Sequence, residues 1–354
     1  MAFRQFDNIK SLSGPIFITG HTGFKGKWLT LLLDSLEIPY VGYSLEPLSG
    51  SLYTTCDKSS IVKEKFADIR NYESVKDFMK QTDPSAVIHL AAQPLVIESY
   101  KAPLDTFEVN VMGTANVLQA SIESGNIRSI VSVTTDKVYK NDETMIAFSE
   151  NDPLQGKDPY SASKVASESV IDAWREISKV ENGPDIFSVR SGNVIGGGDV
   201  SSNRLMPDLM HGYCNKTKVQ IRNPKSTRPW QHVLDPLFGY LLALEESLKG
   251  AKIRSYNFAT DELSISVEDA VNIVKEYVGT DGINVEYQVE SKYFQESKNL
   301  NLNSALATKK LGWNSTWKQD DAIRSTVEWW KKVKFEGYHP QDACNEDIAK
   351  LLDL

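Results

Sequence analysis

Apolar positions recur along this chain at two periods. Short apolar runs read as buried strands at residues 16–18, 40–45, 64–69, 85–94, 129–133, 186–190 and 255–258. Between them apolar residues return every three or four positions, which is helical spacing. Trp28, Leu29, Leu31, Leu32 and Leu33 mark one such helix, and 72–81 a second. Residues 104–124 carry Phe107, Val111, Ala115 and Leu118 as a stripe, and 160–178 and 233–248 read as further helices. After residue 258 the pattern turns to helices at 265–278 and 322–333, and the residues from Glu336 onward read as peripheral. Strand and helix in alternation predict an α/β fold.

The first strand runs into Gly20-His21-Thr22-Gly23-Phe24-Lys25-Gly26 and then a helix. Strand, glycine turn and helix form the context of a dinucleotide site. A turn this tight needs backbone angles that a β-carbon disfavours. The pyrophosphate must also approach the backbone at the helix N-terminus. A glycine turn without a ligand has the same local pattern, so the rest of the chain must decide. The fold class expected is a Rossmann-type doubly wound parallel sheet with a smaller, mostly C-terminal α/β domain. Residues 1–192 plus about 233–262 form the first unit, and about 193–232 plus 263–354 the second.

Composition narrows the function. A net charge of −8 and pI near 5.3 argue against a nucleic-acid partner. Three cysteines, Cys56, Cys214 and Cys344, form no C-x-x-C pair, so neither a disulfide framework nor a metal centre is expected. No signal-peptide pattern and no apolar run of about 18 residues occurs, which predicts a cytoplasmic protein off the membrane.

Polar residues at strand ends supply the chemistry, because ligands of open α/β sheets bind there. The second strand ends at Tyr43 and Ser44, with Glu46 beyond, instead of the usual ribose-binding acid. NAD and NADP both stay open; the lack of an arginine leans to NAD. Asp68 suits either an adenine amino group or a turn. Ala91 and Ala92 let backbone pass close to a cofactor, His89 reads as a core histidine, and Asn110 as a brace for that strand. Thr134, Thr135, Asp136 and Lys137 end the strand 129–133. Tyr160 and Lys164, four apart, share a helix face. Arg204, Arg222, Lys225 and Arg228 cluster in a short segment, with Trp230 and His232 nearby as stacking surfaces. Arginine forks match diphosphate oxygens, and a solvated basic loop has the same composition.

With Thr135, Tyr160 and Lys164 in place, the chain resembles the extended short-chain dehydrogenases/reductases over nearly its whole length. TGHTGFKGKWL, HLAAQPLV, NVMGT, TTDKVY, DPYSASK, GNVIGGGD and RPWQHVLDPL resemble the CDP-glucose 4,6-dehydratases within that superfamily. The resemblance implies NAD as cofactor, with contacts at Gly20, Thr22, Gly23, Phe24, Lys25, Gly26, Ser44, Asp68, Ile69, Leu90, Ala91, Ala92, Gln93, Asn110, Tyr160 and Lys164. It implies a nucleotide-sugar substrate held by Gln93, Asn193, Arg204, Leu205, Arg222, Arg228 and Glu296. Catalysis would fall to Thr135, Asp136, Lys137, Tyr160 and Lys164. Tyr160 would take the sugar 4-hydroxyl proton, Lys164 lowering its pKa and Thr135 bonding the same oxygen. Asp136 would protonate the departing 6-hydroxyl. Lys137 stands where many related dehydratases carry a glutamate as C5 base; a neutral lysine there needs a depressed pKa. Val200 and Ile97 depart from the pattern, where tryptophan and arginine are expected. A homodimer, possible also as a tetramer, is implied through helices 104–124 and 160–178. The rival readings are a 4,6-dehydratase of another nucleotide sugar, a 4-epimerase, which needs neither Asp136 nor Lys137, and a non-catalytic nucleotide-binding protein.

Overall fold

The computed structural model describes residues 6–57, 60–142, 146–252, 254–279, 282–287 and 299–353. Its strands are β1 (Ile16–Thr19), β2 (Tyr40–Ser44), β3 (Lys63–Phe66), β4 (Ala86–His89), β5 (Ser129–Val133), β6 (Asp185–Ser191), β7 (Val194–Ile195), β8 (Val219–Ile221), β9 (Thr227–Arg228), β10 (Gln231–His232), β11 (Ser255–Phe258), β12 (Ile265–Ser266) and β13 (Val285–Tyr287). The α-helices are α1 (Asp7–Lys10), α2 (Phe24–Ser35), α3 (Leu52–Thr55), α4 (Tyr72–Thr82), α5 (Val96–Lys101), α6 (Pro103–Phe107), α7 (Gly113–Ser124), α8 (Pro159–Val180), α9 (Leu205–Asn215), α10 (Leu234–Leu248), α11 (Val267–Val278), α12 (Ala305–Leu311), α13 (Gln319–Phe335) and α14 (Pro340–Leu352).

Seven strands form one sheet in the order β11-β6-β5-β4-β1-β2-β3. Every neighbouring pair in it is parallel. The order reverses between β1 and β4, and a doubly wound sheet opens its ligand crevice there. Adjacent strand residues point to opposite faces. Ile16 and Ile18 therefore enter the core shared with α2, α10 and the C-terminal helices. Phe17 enters the other core, against α4, α7 and α8. Covering both faces explains why β1, β4 and β5 are buried at every position.

The predicted strands and helices recur, with three differences. β3 stops at Phe66, so Asp68 and Ile69 lie in the following turn. The helical stretch before Ser124 contains a π-turn, Glu108–Met112, ahead of α7. The C-terminal residues are not peripheral. α14 buries Ala343, Cys344 and Ile348, and Trp329 Nε1 donates to Cys344 Sγ at 3.3 Å. Apolar residues spaced along a short, otherwise polar helix lock it onto α13 and α2. The pairs β7–β10, β9–β12 and β8–β13 lie outside the main sheet.

Candidate active site

The glycine loop lies on the turn after β4. Gly20 has φ of +78°, and a Cβ there would sit 2.8 Å from Ala91 N. A Cβ on Gly26 would meet Gly20 O at 2.0 Å. Both positions need glycine for close approach, as the loop pattern predicts. Gly23 caps α2 without a side-chain bond, so the first-turn amides face outward to an anion. Thr22 Oγ1 lies 2.7 Å from Ser44 Oγ and also donates to Leu45 O, closing the loop against the end of β2.

The rim around this loop is braced. Thr114 donates its hydroxyl proton to Asn110 O at 2.6 Å, so His89 Nε2 must carry the proton it gives Thr114. His89 Nδ1 then accepts from Thr19 at 2.7 Å. Burial, aided by the Lys164 charge, pushes His89 down to about 3. It is a neutral core histidine. Asn110 binds the backbone of Gln93 at both its amide and its carbonyl, and donates to Ser163 Oγ at 2.9 Å. This joins the Leu90–Ala91–Ala92 turn to α8. Asp68 accepts from Arg70 N at 2.8 Å and from Arg70 Nη2 at 2.6 Å. The bond from Arg70 holds its carboxyl below the usual range. Ile69 packs its side chain against Gly113, and its carbonyl accepts from Asn116 Nδ2 at 3.0 Å.

The catalytic candidates meet where β5 ends and α8 begins. Asp158 and Ser161 form a capping box, with Pro159 in the first turn, and this starts α8 one residue before Tyr160. Thr135 Oγ1 donates to Asp136 Oδ1 at 2.9 Å. Lys137 Nζ donates to the same oxygen at 3.1 Å and to Asn193 Oδ1 at 3.3 Å. Asp136 is 2% exposed and the Lys137 side chain 23%, so the carboxylate is shielded from water and the ammonium partly open to it. Burial opposes the charge on Lys137, but the negative charges of Asp136 and Tyr160 outweigh it and hold the ammonium above its usual value. The resting lysine is therefore charged rather than neutral.

Tyr160 also differs from expectation. Burial raises its phenol, and the opposing influences are the Lys137 charge, the Thr135 hydrogen bond and Arg204. Lys164 is not among them. Its Nζ donates to Val133 O at 3.2 Å, and burial brings it down to about 8. Of the charges that bear on the phenol, that of Lys137, on the turn after β5, is the largest. Lys25 reaches in from the glycine loop and donates to Ser191 Oγ at 2.9 Å and Tyr240 Oη at 3.2 Å. Burial, with Arg204 nearby, brings it to about 7.

The sequence profile described as GDP-mannose 4,6-dehydratase matches residues 17–326. The chain belongs to this family. It is 38% identical over 326 residues to the CDP-glucose 4,6-dehydratase of Salmonella typhimurium strain LT2, covering 89% of this chain and 90% of that protein. The dTDP-glucose 4,6-dehydratase of Streptomyces venezuelae, solved with NAD bound, superposes with a TM-score of 0.79 at 22% identity, over 92% of this chain and 99% of that one. A UDP-glucose 4-epimerase from Thermotoga maritima gives 0.78 at 20% identity, over 90% and 99%. At these identities the two structures speak for the fold alone.

The basic cluster of this GDP-mannose 4,6-dehydratase family member divides in two. Arg204 pairs with Asp199 at 3.2 Å and bears on Tyr160 and Lys25. Arg228 is buried and bears on Lys137. Both therefore face the catalytic turn. Arg222 is exposed and donates to Asn203 O at 3.1 Å, beside a polar cavity of about 290 Å³ shared with Asp208 and His211. Lys225 is exposed. Leu205 opens α9 directly after Arg204. Trp230 and His232 offer no stacking surface: both are buried, and His232 lies stacked on Trp317 at 4.2 Å. Both residues of β10 and the preceding Trp230 are packed inside. Glu296 lies outside the described residues. Sequence reasoning passed over Glu168, which sits one turn beyond Lys164 on the same helix face. The spacing Tyr160, Lys164, Glu168 was the signal.

Proposed function

We propose that this family member is an NAD-dependent nucleotide-sugar 4,6-dehydratase acting on CDP-glucose. The observation that carries it is the Thr135–Asp136–Lys137 turn, buried beside Tyr160 with Lys137 paired to Asp136. A 4-epimerase needs no such acid–base pair. The 38% identity to a CDP-glucose 4,6-dehydratase supports the choice of base and sugar.

The glycine cradle, the uncapped start of α2 and the Ala91–Ala92 turn fit a dinucleotide, which we assign as NAD. When bound there, NAD would supply a hydride acceptor for sugar C4 and the hydride that C6 receives. Tyr160, ionised with its own proton released to solvent, accepts the 4-hydroxyl proton, with Thr135 bonding the same oxygen and Lys137 beside it. Lys164 holds the nicotinamide ribose. A ketone at C4 acidifies the C5 proton. The observed Lys137–Asp136 ion pair then serves the elimination by one proton shift across the 3.1 Å contact. That shift leaves a neutral amine and a carboxylic acid. The amine takes the C5 proton, the acid protonates the 6-oxygen, water departs, and the ion pair is restored. Neutral lysine thus needs no depressed pKa in the resting protein, only a partner to hold its proton.

Arg204, Arg228 and Asn193 are proposed to hold the diphosphate. Leu205, Arg222 and Glu296 are proposed for the nucleotide end, and Gln93 for the sugar side. The two-unit division of the chain given above is kept as a proposal. So is a homodimer through α6, α7 and α8, supported by the exposed Leu104, Met112, Ile177 and Val180. A cytoplasmic site is proposed from three free cysteines, which suit a reducing compartment. No described helix is long and apolar enough to cross a membrane.

The test is a product assay with CDP-glucose, dTDP-glucose, UDP-glucose, UDP-N-acetylglucosamine and GDP-mannose, each followed by mass. Loss of one water from CDP-glucose alone supports the proposal. Loss from another sugar nucleotide keeps the mechanism and moves the specificity. A mass-neutral change sinks the dehydratase in favour of the epimerase.

A further inference from the structure

Behind the catalytic turn lies a buried carboxylate with both oxygens saturated. Glu168 Oε1 accepts from Thr134 Oγ1 at 2.5 Å and from Arg190 Nε at 2.8 Å. Its Oε2 accepts from Ser188 Oγ and Arg190 Nη2, both at 2.8 Å. Arg190 continues to Tyr139 Oη at 2.8 Å and Glu150 O at 3.1 Å. Glu168 and Arg190 are each 5% exposed. Desolvating such a pair costs much of what it gains, so stability alone is a weak reason for it.

Its position offers another reason. Thr134 is the residue before Thr135, and Glu168 follows Lys164 by one turn of α8. We infer that Glu168 is a positioning residue of the reaction: through Thr134 and Arg190 it ties the end of β5 to α8 and β6, and its carboxylate stands one helical turn beyond Lys164. This rests on the roles proposed above for Tyr160 and Lys164. The charges bearing on Lys164 are Glu168 on its own helix, which favours the ammonium, and Lys25 from α2, which opposes it. From β4 the neighbour is the neutral His89. Around Glu168 itself stand Arg190 from β6 and Arg175 further along α8. Without Glu168, Lys25 and burial act on Lys164 unopposed, and it deprotonates at lower pH.

The test is the pH profile of kcat/KM for CDP-glucose, which reports groups of the free enzyme. Three variants are compared with the wild type: Glu168→Gln, Arg190→Met, and the double variant, which leaves no unpaired buried charge. Melting curves confirm folding. The alkaline limb is expected to fall by about one pH unit in Glu168→Gln and in the double variant, and not in Arg190→Met. An equal rate loss at every pH in all three, or an unmoved limb in the folded double variant, overturns the inference and leaves a structural clamp. A wild type that does not dehydrate CDP-glucose fails the functional proposal instead, and separates the two.

Discussion

Lys137 and Asp136 are neighbours in sequence that form an ion pair at 3.1 Å, its carboxylate buried and its ammonium partly exposed, with Lys137 also bearing on the phenol of Tyr160. One short turn thus carries both partners proposed for the elimination and the cation proposed for the oxidation step.

Removing either partner should separate the two halves of the reaction. Lys137→Met is expected to lower dehydration by about 10²–10⁴-fold, the usual worth of a positioned acid or base. Exchange of the C5 proton with D₂O, read by mass, should fall in parallel. Asp136→Asn removes the acceptor of the Lys137 proton, so it should lower C5 exchange and water loss together. Unchanged exchange in Lys137→Met would remove lysine from the base role.

The glycine loop gives a paired prediction. Gly20→Ala would place a Cβ 2.8 Å from Ala91 N at φ +78°, and NAD affinity should drop at least about tenfold. Gly50→Ala has a similar φ of +74° with nothing within 4 Å of its Cβ. It pays only the backbone strain, so its NAD affinity should be that of the wild type. Equilibrium titration of NAD with both variants checks this.

Acid stability should carry the signature of His89. Its folded pKa, about 3, lies below the unfolded value near 6.5, so the unfolded chain binds the extra proton. The stability it contributes is complete above about pH 6.5 and declines as pH falls toward 3. His89→Leu should flatten the dependence of denaturation midpoint on pH across that window. A slope equal to that of the wild type would show that His89 does not titrate there.

Deleting residues 337–354 should destabilise the whole protein. α14 covers α2 and α13 with Ala343, Cys344 and Ile348, and its loss exposes an apolar face. A melting temperature lower by several degrees, with increased binding of a hydrophobic dye, is expected. An unchanged melting curve would restore the view of this segment as an appendage.

Much of the fold could be read in advance because it rests on local pattern. The run Ile16–Ile18, the glycines 20, 23 and 26, and the stripe after Trp28 each carry their own signal, period two, turn, and period near four. Asn110 as a brace and His89 as a core residue followed from polarity set inside apolar stretches. α14 was not legible: its apolar residues are few, and nothing local says that Trp329 waits to cover Cys344. Trp230 and His232 misled because aromatic residues near arginines suit either a ligand or a core.

The sequence by itself determined which residues could do chemistry, since Thr135, Asp136, Lys137, Tyr160 and Lys164 are named by type, spacing and strand end. Tertiary structure decided how they divide the work. Charge interactions depend on distance and burial, which sequence separation does not report. Only the packed chain shows that Lys137, twenty-three positions before Tyr160, bears on its phenol, while Lys164, four positions after it, turns to the carbonyl of Val133.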